Sequence, residues 1–329
     1  AVNLRGIRES GAAFAIPVYT FMASMAVLVV WGLFQVDVLG RDLQAESANF
    51  DLVSTHGGAV TGLALAFVVA KSFASGSAAL TGVEAIHNGV PAFRKPRSRN
   101  AATTLLLLGV IAVTFLLGLI ALAVQLGVRV AEDPARQLVG APADYHQKTM
   151  IAQLAEPVFA GFPIAFYVVM TVTAVILVLA ANTAFNGFPM LGSVLARDNY
   201  LPRQLATRGD RLAFSNGIVL LAVAAIALVV VFEARVTVLI QLYIVGVFVA
   251  FTLSQLGMIR HWTRHLADEK VPAVRRRMLR SRVINVIGVV LTASVLVIVI
   301  ITKLFAGAYI AVLAMTAVFV VMKLIHRHY

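Results

Sequence analysis

Hydroxyl and carboxylate oxygens are concentrated in one apolar stretch of the chain. Ser75, Ser77 and Thr81 supply hydroxyl groups, and Glu84 supplies a carboxylate. Thr81 precedes Glu84 by three residues, so a helix would carry both side chains on the same face. Oxygen ligands of these types suit protons and alkali cations. The spacing therefore indicates a candidate site for a small cation.

The stretch around these residues is too long to be one helix across a membrane. From Gly62 to Phe93 a continuous helix would be ~48 Å long, against a hydrocarbon core of ~30 Å. A break at Ser75-Gly76-Ser77 removes the mismatch and exposes backbone carbonyls, which membranes tolerate only against protein or a water-filled cavity. The sequence therefore predicts a discontinuous helix with a polar site at its break.

Two charges lie within this predicted span, and each allows more than one interpretation. A carboxylate in a span costs a few kcal/mol or more, which favours a functional role for Glu84. Glu84 also lies about two turns from the end of the span, where a structural partner is the alternative. Lys71 could neutralise a carboxylate as a structural or coupling charge, occupy a cation position, line a pathway or extend to the interface. A structural ion partner is the preferred interpretation for Lys71.

Two later segments add polar groups to apolar surroundings. Tyr243 lies in a sixth apolar stretch, where its hydroxyl suits either a binding site or a hydrogen bond in the core. Asn182 and Thr183 lie in a fourth stretch, and hydrogen bonds between helices are the preferred interpretation for them.

Composition sets the class of the protein. Of 329 residues, 60% are hydrophobic and 13% are charged, and the mean hydropathy is +0.91. Soluble domains carry about twice that charged fraction. Eight stretches are long enough to span a bilayer, which predicts an all-α integral membrane protein with one transmembrane domain over residues 1–329. They lie near residues 12–35, 59–90, 101–127, 161–190, 216–232, 236–258, 283–303 and 306–325.

The charge distribution predicts the orientation. The net charge of +12 comes from Lys and Arg in loops on the side of the N-terminus, whereas the opposite loops contain more acidic than basic residues. By the positive-inside rule both termini are cytoplasmic, in the inner (plasma) membrane. A basic run at residues 275–282 lies in the predicted cytoplasmic link His261–Arg282. Topology and contact with anionic lipid are the preferred explanation of this run, a regulatory ligand site is the alternative, and nucleic acid is not expected.

Signatures of enzymes are absent from the sequence. It contains no H-E-x-x-H, P-loop or G-x-S-x-G motif, and no general base accompanies Ser75-Gly76-Ser77. No cysteine is present, which excludes disulfides and thiol chemistry.

Residues 145–160, on the predicted outer side, fit either a short surface helix or a plain loop.

Several motifs resemble one family of transporters. LTGVEAI at residues 80–86, followed by NGVP at 88–91, is similar to the sixth-helix signature of KimA-type potassium transporters. These belong to the amino acid–polyamine–organocation (APC) superfamily and are related to the KUP potassium uptake proteins. ANTAF at 181–185, LARD at 195–198 and LYIVGVF at 242–248 match the family's eighth to tenth helices, and NLRGIRES at 3–10 resembles the entry to its fifth.

The resemblance implies a LeuT-like helical bundle with inverted repeats and broken first and sixth helices. It also implies proton-coupled uptake of K⁺, with Thr81, Glu84 and Tyr243 as ligands of the cation and no resident cofactor. The chain would correspond to helices 5–12 of the family. Since helices one to four would then be absent, these 329 residues are not expected to transport alone.

Two other functions stay open. One is a permease of the same superfamily for amino acids or organic solutes, in which the broken helix would hold the carboxylate and amine of the substrate. The other is a membrane scaffold or a fragment without transport activity. The lipid bilayer, K⁺ and H⁺ are the expected partners, and a homodimer is an open possibility because the sequence does not determine the oligomeric state.

Overall fold

The structure is a computed structural model that describes residues 11–53, 61–77, 82, 83, 86, 89, 90, 93–131, 134–142, 144–207, 214–303 and 308–328. Ten α-helices have their bounds within these residues. They are α1 (Gly11–Asp37), α2 (Leu63–Gly76), α3 (Arg97–Gln125), α4 (Pro134–Gln137), α5 (Met150–Val158), α6 (Pro163–Arg197), α7 (Ser215–Val231), α8 (Val236–Asp268), α9 (Pro272–Lys303) and α10 (Ala308–His328). Two short strands, β1 (Asp51–Leu52) and β2 (Leu138–Val139), pair antiparallel.

Within the described part of the chain, five helices are long and apolar enough to cross a membrane. They are α1, α3, α6, α8 and α9, and α2 and α7 are shorter apolar helices. A helix overlaps each of the eight predicted spans, so the all-α prediction is confirmed. The 14 residues of α2 extend over only ~21 Å, which is less than the hydrocarbon thickness.

Contacts between Cα atoms divide the chain into two compact units. The first unit comprises Ala1–Gly57, Ala85–Val194 and Gln204–Leu221. Its core joins α1, α3, α5 and the start of α6 through Leu28, Leu122, Leu154 and other buried residues. Glycines let α1 and α3 approach closely: a Cβ on Gly118 would lie 2.5 Å from Val29 Cγ1. Small residues allow such contacts between membrane helices.

A network of hydrogen-bonded polar side chains lies in the first unit. Gln35 is buried, and its Nε2 donates to the carbonyl of Val158 over 3.0 Å. The Ser47 hydroxyl donates to Gln153 Oε1 and accepts from the backbone N–H of Arg129. Buried polar groups are stabilised when they are paired in this way. This network attaches α5 and the connection after α1 to the apolar core.

The segment that the sequence left open between a helix and a loop contains the helix α5. Thr149 caps its first turn by accepting a hydrogen bond from the backbone N–H of Ala152. Most of its residues are buried, so α5 packs into the core of the first unit.

The second unit comprises Gly58–Glu84, Leu195–Arg203 and Ala222–Tyr329. Within it α8 and α9 pack along each other, and α2 and α10 contact this pair. The buried core contains Ala74 from α2, Ile244, Val245 and Phe248 from α8, and Val295 and Val299 from α9.

The predicted link over His261–Arg282 is helical in most of its length. The helix α8 continues to Asp268 and α9 begins at Pro272, which leaves only residues 269–271 between them. Proline suits the first position of a helix, and arginine is a good helix former. Hydropathy detects the part of a helix that membrane lipid surrounds, so it missed these charged extensions.

Candidate cation-binding site

The helix α2 ends inside the tripeptide predicted as a break. Gly76 is its last residue, and Ser77 follows as the C-cap with φ −61° and ψ −17°. The backbone N–H of Ser77 donates to the carbonyl of Phe73. Five residues further on, Gly82 has φ +96°, a conformation that favours glycine over residues with a side chain. Residues 78–81, between Ser77 and Gly82, lie outside the described residues, so the predicted break stays a prediction.

Thr81 and Glu84 lie outside the described residues, so their roles stay predictions. Ser77, in contrast, is described and is only 5% exposed. Its hydroxyl donates to the carbonyl of Phe73 over 2.9 Å, within the same helix. Ser75, the other predicted hydroxyl, is exposed. The two serines thus differ in environment although they flank the same glycine.

The structure brings the segments of two predicted site residues into one buried cluster. Ala74, which precedes Ser75, is 1% exposed and packs in the same core cluster as Ile244 and Val245. Tyr243 directly precedes Ile244 and is 43% exposed. The end of α2 and the segment of α8 that follows Tyr243 therefore belong to one core cluster, which Val295 and Val299 of α9 complete.

Lys71 lies on α2, a little more than one turn before Ser75, and its side chain is exposed. It forms no ion pair with any residue that the structure describes. The choice between a partner for a carboxylate and a side chain that extends to the interface therefore stays open. Thr183, in α6, donates its hydroxyl to the carbonyl of Ala180 in its own helix over 2.6 Å.

A polar seam between α8 and α9 was not predicted. The hydroxyls of Thr252 and Thr292 lie 3.1 Å apart and join the two helices. Beside them Gln255 covers Gly288, where an added Cβ would lie 3.0 Å from the amide carbon. The sequence signal was the pair of small residues Gly288 and Thr292 four positions apart, which is typical of contacts between membrane helices.

Comparison with known proteins identifies the family. The family model described as "Amino acid permease" matches residues 1–323. The chain belongs to this amino acid permease family. The potassium transporter KimA of Bacillus subtilis (strain 168) is 39% identical over 328 residues, which confirms the resemblance to KimA-type transporters. That match covers 100% of this chain and 49% of KimA, so the chain spans about half the length of the relative.

The family and the relative are a permease family and a potassium transporter, not enzymes. Together with the long apolar helices, they make this chain a multi-pass membrane protein.

The C-terminus of a helix has an electrostatic character that suits a cation. The last carbonyls of an α-helix lack partners within the helix and give its C-terminus a partial negative charge. At Gly76 this end lies beside the exposed Ser75 and in the same cluster as the Tyr243 segment. The described residues here therefore offer acceptor oxygens of the kind that suits a cation, in the hydroxyls of Ser75 and Ser77 at the end of α2.

Proposed function

We propose that this chain is part of a secondary transporter that takes up potassium, with the cation bound at the end of α2. One observation carries the proposal: α2 ends at Gly76, and this end shares a buried cluster with the α8 segment that follows Tyr243. The potassium transporter KimA, as a relative over the whole chain, supports K⁺ as the substrate.

The proposed ligands are oxygen atoms from both sides of the break. Thr81 and Tyr243 offer hydroxyls, and Glu84 offers a carboxylate that is either a ligand of the cation or a carrier of the coupling proton. Ser75 and Ser77 border the carbonyl end of α2 and add further oxygens. A carboxylate near a helix C-terminus is electrostatically unfavourable without a cation, so a bound K⁺ would stabilise Glu84 in its charged form.

Coupling to protons and the orientation belong to the same proposal. Uptake of K⁺ through a proton symport would stop when a protonophore dissipates the proton gradient. The excess of Lys and Arg in alternate loops supports cytoplasmic termini in the inner (plasma) membrane. The exposed arginines in the first turns of α9 fit that orientation, since anionic lipids attract basic side chains at the cytoplasmic surface.

The description of the family favours one alternative, an amino-acid permease. In that case unwound backbone at the break would bind the carboxylate and amine of the substrate, and Glu84 would serve only for coupling. The charge at the end of α2 does not separate the two proposals, because its carbonyls suit K⁺ and the ammonium group of an amino acid alike.

The test uses the full-length protein in a bacterium that lacks its own potassium uptake systems. We expect the wild-type protein to restore growth at low K⁺ and Glu84→Gln to abolish it. Glu233→Gln is a matched control, because Glu233 is an exposed residue between α7 and α8 whose carboxylate pairs with Arg235 over 3.1 Å. It removes the same charge far along the chain from the proposed site and should keep growth normal.

Counterflow of amino acids separates the two transport functions. Counterflow without any dependence on K⁺ would support the amino-acid permease and refute the potassium proposal. Normal growth of the Glu84→Gln strain would show that this carboxylate is not required, and would refute the proposed site.

A further inference from the structure

A groove lies in the second unit where the connection after α6 meets the last turns of α10. The ring of Tyr200 stacks on that of His326, with centroids 4.3 Å apart and an angle of 8° between the planes. This stacked pair bounds a cavity of about 450 Å³. A volume of this size lies within the range of pockets that bind small molecules.

The walls of the groove are apolar in one part and basic in another. Phe319, Val320 and Leu324 form the apolar part, and they are 58%, 48% and 61% exposed. Lys323, His326 and Arg327 form the other part. The positions recur at intervals of three and four residues, so all six belong to one face of α10.

Lys323 lies at the boundary between the two parts. Its Nζ is 5.5 Å from the centroid of the Phe319 ring, a distance typical of a cation–π interaction. Within the described residues neither Lys323 nor Arg327 forms an ion pair with a carboxylate. Asp198, two residues from Tyr200, is exposed and is not within ion-pair distance of either. The basic part of the groove is therefore not neutralised by these side chains.

We propose that this groove binds one anionic phospholipid. The phosphate would lie between Lys323 and Arg327, and an acyl chain would follow the exposed apolar residues toward the middle of α10. Two features select this ligand together. A soluble phosphate would use the charges but not the apolar wall, whereas a zwitterionic phospholipid would use the wall with little net attraction to the charges.

The experiment uses the full-length protein in detergent and a phosphatidylglycerol with a photoreactive group in its acyl chain. Peptide mapping after irradiation should locate the label on residues 319–324. Unlabelled phosphatidylglycerol should compete, whereas phosphatidylcholine and glycerol phosphate should not. In Lys323→Gln/Arg327→Gln the concentration for half-maximal labelling should rise about thirtyfold, because each basic residue contributes roughly a fivefold gain in affinity.

The matched control is Arg275→Gln/Arg277→Gln, which removes two exposed charges from the first turns of α9. This variant should label as the wild type does. An equal loss in both double variants would overturn the proposal, since the attraction would then be non-specific. Equal competition by phosphatidylcholine or by glycerol phosphate would also overturn the proposal.

A second variant tests the apolar wall if the double variant does not fold. Leu324→Asn keeps every charge and removes one exposed apolar side chain from the groove. We expect labelling to weaken severalfold because the acyl chain loses part of its contact. Unchanged labelling would contradict the assignment of the acyl chain. The outcome does not depend on which substrate is transported, so it is separable from the test of potassium uptake.

Discussion

The hydroxyl of Ser77 is bonded within its own helix, and that arrangement limits what the residue offers to a ligand. It donates its only hydrogen to the carbonyl of Phe73, so its lone pairs alone are available. This suits a cation, which needs acceptor oxygens. The sequence predicted the serines as site residues from their position at the break. It could not distinguish buried Ser77 from exposed Ser75, since burial depends on the packing of the folded chain.

Lys148 provides a prediction about pH. Its Nζ lies 2.8 Å from Glu46 Oε2 and 2.8 Å from Glu156 Oε2, outside the membrane-spanning segments. The hydrogen bond with Glu156, followed by that with Glu46, raises the pKa of Lys148 above its usual 10.5. A raised pKa means that the pairs stabilise the fold below about pH 10.5 and that this contribution is lost as the pH rises through the folded pKa.

We therefore expect Lys148→Met to lower the unfolding temperature at pH 8 by at most about 2–4 °C, because the lysine is 41% exposed and solvent screens the pairs. The difference from the wild type should shrink above pH 10.5. Lys270→Met, at an exposed lysine without an ion pair among the described residues, is the control. Thermal scans of the full-length protein measure the effect, and a difference that grows at alkaline pH would contradict it. Burial is the main cause that raises the pKa of Tyr145 as well. All variants keep this tyrosine, so its contribution is the same in every protein compared.

At the scale of elements, the end of α2 is the feature on which the site depends. A length argument placed a break at Ser75-Gly76-Ser77. The helix α2 ends at Gly76, and the second half-helix after the break stays a prediction. Sequence reasoning could not predict α5, because the apolar spacing there fitted a helix and a loop equally well. The decisive interactions, such as the bond between Gln35 and the carbonyl of Val158, join residues that are remote in sequence. Local patterns do not encode them.

Glycine substitutions test the break directly. An added Cβ on Gly76 would meet nothing within 4 Å, so Gly76→Ala introduces no clash. Alanine favours helix over glycine by about 1 kcal/mol, which would extend α2 through the break and lower the rate of Rb⁺ uptake about fivefold. Gly82→Ala should also lower uptake, because a φ of +96° strains an alanine by roughly 1–2 kcal/mol.

The control for both variants is Gly257→Ala in α8. An added Cβ there also meets nothing within 4 Å, and the position is already helical. Uptake should therefore match the wild type. If Gly76→Ala behaved like Gly257→Ala, an interruption at Gly76 would not matter for transport.

At the scale of the whole molecule, composition alone predicted the class. A chain with 60% hydrophobic residues and eight long apolar stretches has to bury its backbone hydrogen bonds in helices. The apolar stretches also located the long helices, but not the charged extensions at the facing ends of α8 and α9, where membrane hydropathy has no signal. The polar seam at Thr252 and Thr292 escaped prediction because its partner helices are not identifiable from the sequence.

The most direct test is a crystal structure of the full-length protein soaked in Tl⁺, a heavy analogue of K⁺, with anomalous scattering recorded. The account predicts one strong peak at the carbonyl end of α2, coordinated by oxygens of Thr81, Glu84 and Tyr243. A continuous helix through residues 63–90, with Glu84 facing lipid and no peak beside it, would contradict the account.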